Sequence, residues 1–203
     1  INHITYGSTE SLEFTDAYFL ALNYYSLKAS NNIAKEKNEK FFEFEESKYA
    51  DGSYFDPYIE KEFEFSSTKV ADIFCEISMP TVEDWKKLKE DILKYGLYHR
   101  NRLAVAPNGS ISYINETSAS LHPITQLVEN RQEKKVGSIF YPAPYLSNET
   151  IPYYKTAYDI DQREIINVYA TAQKHIDQGM SLTLFMRSKL PEGLYEWKKE
   201  GNN

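Results

Sequence analysis

The sequence predicts a helix-rich α/β domain. Three segments, 8–40, 80–96 and 159–179, carry apolar residues at helical spacing. Two short apolar runs, "LAVA" at 103–106 and "SLTLFM" at 181–186, read as strands. Helix and loop separate them, which points to a parallel arrangement. Two strands are too few to close a sheet or a barrel. The 203 residues fit one large domain, with 1–100 mainly helical and 101–203 strand–helix–strand.

In chain order, the first helix covers "STESLEFTDAYFLALNYYSLKASNNIAKEKNEK". Ser8 or Thr9 can cap its free amides. Tyr18, Leu22, Tyr25, Ala29 and Ile33 form an apolar stripe. Lys35, Lys37 and Lys40 suit the negative end of the dipole. "FFEFEESKYADGSYFDPYIEKEFEF" alternates acids with rings and reads as an irregular surface excursion anchored by its aromatics. Its acids lack the spacing of a calcium loop. In "PTVEDWKKLKEDILKYG", Thr81 and Asp84 make a capping box, Trp85, Leu88, Ile92 and Tyr95 form the buried stripe, and Gly96 ends the helix. "QEKKVGSIFYPAPYLSNETIPYY" reads as loop, broken by Pro142, Pro144 and Pro152. The third helix places Ile165, Tyr169, Ala172 and Ile176 on one face and stops at Gly179, and the tail after 190 turns polar.

Composition narrows the function. The chain is 41% hydrophobic and 26% charged, which suits a folded domain. Its 23 basic and 30 acidic residues give a net charge of −7, so no basic face exists for duplex nucleic acid. Nothing approaches the run of about 18 apolar residues that spans a bilayer. The start "INHITYGSTE" lacks the features of a signal peptide, and Ile1 suggests a piece cut from a longer polypeptide. The sequons at Asn108, Asn115 and Asn148 are then chance matches. One cysteine, Cys75, excludes a disulfide framework and fits a reducing cytoplasm. Cys75 reads as a small buried residue on a stripe with Ile73 and Ile77. His3, His99, His122 and His175 show no metal spacing. The tyrosine doublets Tyr24-Tyr25 and Tyr153-Tyr154 read as core and loop anchors.

The segment with most chemical content is "APNGSISYINETSAS" at 106–120. Asn108-Gly109 between "LAVA" and "SISYI" is a hairpin signal. It is equally a tight turn into a short helix starting near Ser110. The amides of Gly109, Ser110 and Ile111 would then face an anion, with the Ser110 and Ser112 hydroxyls as further donors. No lysine follows the glycine, so this is not a Walker A loop. A hydrolase dyad of His122 with Ser110 or Ser112 has no supporting elbow motif.

Collinear runs carry a resemblance. "YGSTESLEFTDAYF", "ASNNIAKEKN", "FEESKYADGSYFDPY", "MPTVEDWKKLKEDI", "RNRLAVAPNGSISYINETSASLHPI", "RQEKKVGSIFYPAP", "IPYYKTAYDID", "HIDQGMSLTLFMRS" and "LPEGLYEW" span essentially the whole chain. Together they resemble the catalytic large (alpha) subunits of class Ib ribonucleoside-diphosphate reductases. The resemblance implies part of the second half of a ten-stranded α/β barrel. It implies radical reduction of ribonucleoside diphosphates, started by a dimetal–tyrosyl radical in a small (beta) subunit and renewed by a glutaredoxin-like reductant. Pro107, Asn108, Gly109, Ser110, Ile111 and Ser112 match the segment that binds the substrate diphosphate. Threonine is usual where Asn108 stands, and both can hydrogen-bond. The match assigns no catalytic residue, no metal ligand and no resident cofactor. "FCEI" has Ile73 and Ile77 where the radical-cysteine motif has Asn and Glu, and the family's radical-transfer tyrosine pair is neither doublet. The remaining part of the alpha subunit is then a required partner, and this chain alone is expected to be inactive. A non-catalytic phosphate-binding α/β module is the alternative.

Overall fold

The structure, a computed structural model, describes residues 2–133 and 137–187. The chain divides into two compact units. One comprises Glu13–Ala104 with His175–Gln178. The other comprises Ile1–Leu12, Val105–Lys174 and Gly179–Asn203.

In the first unit, helix α1 (Thr9–Lys37) contributes its length from Glu13 onward. The buried face is not the expected one. Ala17, Leu20, Tyr24, Leu27, Asn31 and Ala34 point inward, while Tyr18, Leu22, Tyr25 and Ala29 are exposed and Ile33 is half-buried. Both stripes have helical period, so periodicity alone does not choose between them. Hydrogen bonding makes the polar positions of the inward face tolerable. Asn31 Nδ2 donates to Gly96 O at 2.8 Å, and Ser30 Oγ accepts the His99 amide at 2.9 Å.

The aromatic segment forms short turns at Phe44–Glu46 and Ser53–Phe55 and the five-residue α2 (Asp56–Glu60). Its rings do more than anchor a surface loop. Phe44, Tyr49, Phe55 and Tyr58 share one core with Leu20, Tyr24, Leu27, Trp85, Leu88, Ile92 and Leu97. Helix α3 (Thr68–Ile73) buries Val70, and Phe74 follows it inward. Cys75 and Ile77 are exposed, against the burial expected for them. The register after Val70 spends its inward position on the larger ring of Phe74.

Helix α4 (Val82–Tyr95) carries the expected capping box. The Asp84 amide donates to Thr81 Oγ1 at 3.2 Å, and the Thr81 amide to Asp84 Oδ2 at 3.0 Å. Trp85, Leu88 and Ile92 are buried, but Tyr95 lies outside, with the Lys35 and Lys94 ammonium groups over its ring. Gly96 ends the helix at φ 76°, where a Cβ would also meet the Lys40 side chain. Hydrogen bonds from the Thr81 amide and then its hydroxyl hold the Asp84 carboxyl below its usual range. The box therefore stabilises fully above the ordinary carboxylate range, and its contribution fades as pH falls through the lowered value. Thr81→Ala is expected to cost about 1 kcal/mol at neutral pH, with a smaller deficit in acid. Urea unfolding at the two pH values measures both.

Arg100 is a surface residue, paired with Glu43 at 3.2 Å. Arg102, only two residues on, is buried to 3% side-chain exposure. Its Nη1 donates to Asn23 Oδ1 and Ser26 Oγ, and its Nη2 to Tyr49 OH. Asp177 lies 3.8 Å from its Nε and accepts the amides of Arg102 and Leu103.

In the second unit, helix α6 (Gln162–Gln173) starts at the Asp161 cap and buries Ile165, Tyr169 and Ala172. It ends six residues before Gly179, and Ile176, which belongs to the first unit, is buried. Ile160, Ile165 and Tyr169 pack with Tyr6, Leu121, Met180, Leu184 and Phe185. The two expected strands reduce to one parallel bridge, Val105–Met180. The parallel direction matches the expectation, but 181–186 makes no ladder and is at most half-buried. Sheet hydrogen bonds need neighbouring strands, and no further strand of the described residues pairs there. β1 (Val128–Glu133) pairs antiparallel with β2 (Gly137–Pro142), and β2 stands where loop was expected. Helices with a small sheet place the domain in the α/β class. The polar tail after 190 lies outside the described residues.

Candidate functional site

The segment 107–112 lies in the second unit and is continuous in space as in sequence. It is not a hairpin. Asn108 precedes a six-residue helix, α5 (Gly109–Ile114). The Asn108 amide donates to Ala119 O at 2.9 Å, which ties the start of the turn to the chain leaving it. Asn108 has φ −102° and ψ 58°, and its side chain makes no cap hydrogen bond.

That geometry decides which donors are left over. The Ser112 amide donates to Asn108 O at 3.1 Å and closes the first turn. The amides of Gly109, Ser110 and Ile111 lie before that bond and have no intrahelical acceptor. Ser110 is exposed at this end of the helix. A Cβ built at Gly109 meets nothing within 4 Å, so the space above this turn is open. Gly109 is not among the glycines with positive φ, so what its missing side chain provides here is open space and not an unusual backbone angle. Pro107 and Asn108 are exposed, Ile111 is 47% exposed, and Ser112 is buried at 5%. Ser112 Oγ donates to Gly109 O at 2.6 Å, so this hydroxyl braces the turn.

The hydrolase arrangement is absent. Ser112 Oγ is engaged with Gly109, and His122 Nδ1 faces Pro123 O at 2.9 Å. Because a carbonyl only accepts, Nδ1 carries the proton in the neutral ring. The ring packs against Phe185 at 5.0 Å.

A cavity of about 450 Å³ adjoins the turn and shares Ser112 with it. Tyr113, His122, Glu129, Tyr141 and Tyr145 also line it. Tyr113 OH donates to Glu129 Oε2 at 2.7 Å, and its ring lies 4.9 Å from that of Tyr141. Sequence reasoning missed Glu129 and Tyr141 as site walls. The readable signal for Tyr141 was the β-branched and aromatic run Ile139-Phe140-Tyr141 after Gly137, a composition that favours a strand. Among the described residues, no group of three or more His, Cys, Asp or Glu side chains could hold a metal ion, and no helix is long and apolar enough to cross a membrane.

Comparison with known proteins places these features in context. Residues 1–195 match the family described as the ribonucleotide reductase barrel domain. The chain is 42% identical over 189 residues to the ribonucleoside-diphosphate reductase subunit alpha of Bacillus subtilis (strain 168), covering 93% of this chain and 27% of that protein. It is 43% identical over 194 residues to the subunit of the same name from Mycoplasma pneumoniae, with the same two coverages. The Helicobacter pylori subunit is 32% identical over 193 residues, 95% of this chain and 23% of that protein. The chain thus spans about a quarter of the length of these curated relatives.

Proposed function

The chain belongs to the ribonucleotide reductase barrel-domain family, and from that premise we propose that its Gly109–Ser112 turn holds the diphosphate of a ribonucleoside diphosphate undergoing reduction to the deoxyribonucleotide. The observation that carries this reading is the set of first-turn amides at Gly109, Ser110 and Ile111, open to approach above Gly109. These amides and the Ser110 hydroxyl donate to phosphate oxygens, and Ser112 holds the turn in shape. Asn108 and Pro107 set the entry of the chain into it.

The reading gives this chain binding and scaffold roles and no catalytic residue. Radical initiation comes from a dimetal–tyrosyl centre in a beta subunit, reducing equivalents from a glutaredoxin-like protein in the cytoplasm, and the reacting groups from the rest of the alpha subunit. Cys75 stands in none of these roles, because its neighbours Ile73 and Ile77 lack the hydrogen-bonding side chains of the radical-cysteine motif.

Titration of CDP and of ADP into the chain, followed by amide NMR, tests the cradle. Shifts are expected at Gly109 to Ser112 with both nucleotides, because the contacts are to phosphate. Hydrogen bonds to a charged group contribute about 1.5–3 kcal/mol each. A valine at position 109 fills the open space and blocks one such contact, so Gly109→Val is expected to weaken binding roughly tenfold or more. A well-dispersed spectrum with no shift at these amides would sink the assignment.

A further inference from the structure

We infer that Tyr58 is a redox site: an oxidising hole reaching the Trp85 ring passes to Tyr58, whose phenolic proton moves to His175. The assignment is independent of the phosphate cradle and rests on residues of the first unit alone.

Tyr58 is 8% exposed and Trp85 2%, and their rings stack with centroids 4.3 Å apart. Tyr24 meets Trp85 edge-on at 5.1 Å, and Tyr25 meets Tyr24 at 5.2 Å. Tyr25 is 41% exposed, so a series of ring contacts runs from the surface to Tyr58. Indole can lose an electron and keep its proton for a time. A phenol radical cation cannot, because it is a very strong acid. A tyrosine oxidised inside a protein therefore needs a base on its hydroxyl.

Tyr58 has one. Its oxygen lies 3.2 Å from His175 Nδ1, and His175 Nε2 lies 2.8 Å from Asp16 Oδ1. A carboxylate only accepts, so in the neutral ring Nε2 carries the proton and Nδ1 is left as the acceptor. Tyr58 thus donates to His175 while its oxygen accepts from Asn23 Nδ2 at 3.1 Å. Burial, and secondarily the neighbouring Tyr54, pushes the Tyr58 phenol well above its ordinary range. It holds its proton at neutral pH, and oxidation must carry that proton away.

The step balances as follows. A one-electron oxidant at the surface takes an electron from Trp85 through the Tyr25 and Tyr24 rings, leaving an indole radical cation. An electron moves from Tyr58 to Trp85, the Tyr58 O–H bond breaks, and its proton joins His175 Nδ1. The products are neutral Trp85, a Tyr58 phenoxyl radical, and an imidazolium opposite the Asp16 carboxylate. Such a site would collect strongly oxidising equivalents away from the rest of the core.

The test uses flash-generated tris(bipyridine)ruthenium(III) as oxidant, a cation that the net charge of −7 attracts. Radicals on surface tyrosines decay quickly by coupling, whereas a buried one persists. A long-lived phenoxyl signal is expected by EPR, formed more slowly in D₂O. Tyr58→Phe is expected to abolish that fraction, and His175→Gln to slow its formation and remove the isotope effect. Trp85→Phe keeps an aromatic ring but raises its oxidation potential, so it is expected to lower the yield even where Tyr58→Phe disturbs folding. Retention of the long-lived signal in folded Tyr58→Phe, or an unchanged yield in Trp85→Phe, would overturn the proposal.

Discussion

Arg102→Ala is expected to remove about 3–5 kcal/mol of stability, the usual cost of leaving one member of a buried ion pair behind. Domains of this kind are held by about 5–15 kcal/mol in total, so the variant should unfold at much lower urea. The cost has several sources. Asp177, at 9% side-chain exposure, loses its countercharge. Asn23, Ser26 and Tyr49 each lose a donor. The guanidinium also leaves the faces of Tyr49 and Tyr54, at 5.5 and 6.0 Å. Asp177→Asn is expected to cost less, because an amide oxygen can still accept from the Arg102 or Leu103 amide. A double-mutant cycle should show coupling well above that of an exposed pair. A loss of less than about 1 kcal/mol in Arg102→Ala would mean the pair behaves as a surface bridge. The same network responds to alkali. Burial pushes the Tyr49 phenol up to about 12, with the Arg102 charge opposing the rise. Its folded value lies above its unfolded one, so this stability is complete below the ordinary phenol range and is lost as pH climbs toward 12.

Trp85→Ala is expected to be comparably damaging, at about 3–5 kcal/mol. Trp85 is 2% exposed and sits among Tyr24, Phe55 and Tyr58, so its removal opens a cavity where three elements meet. Tyr18→Ala on the outer stripe of α1 should change stability by no more than about 0.5 kcal/mol, since Tyr18 is 48% exposed. Urea midpoints of the two variants test whether the core lies on the face of α1 that meets Trp85 through Tyr24 or on the face that carries Tyr18. A large loss in Tyr18→Ala with little in Trp85→Ala would reverse the assignment.

What the sequence determined by itself was local. The start of α4 was legible because Thr81 and Asp84 satisfy each other's backbone three residues apart, and Gly96 marks its end because only glycine relaxes at φ 76°. The extent of α1 and the presence of α6 followed from periodicity, although α6 stops at Gln173, short of the Gly179 expected to end it, and the order of residues at 107–112 already held the donors of the turn. Family membership was legible too, because collinear runs along the whole chain are far more specific than any single motif.

Tertiary structure decided everything that depends on what lies opposite a residue. It chose between two periodic stripes on α1, turned 108–114 from a possible hairpin into a helix start, and paired 128–133 with 137–142 as antiparallel strands. It exposed Cys75 and buried Arg102, because burial of a charge depends on partners 53 to 79 positions away, such as Tyr49 and Asn23. Capping, turn and period are energies between near neighbours, and near neighbours are visible in a string. Burial, ion pairing and strand ladders are energies between distant segments, and those exist only once the chain has brought the segments together.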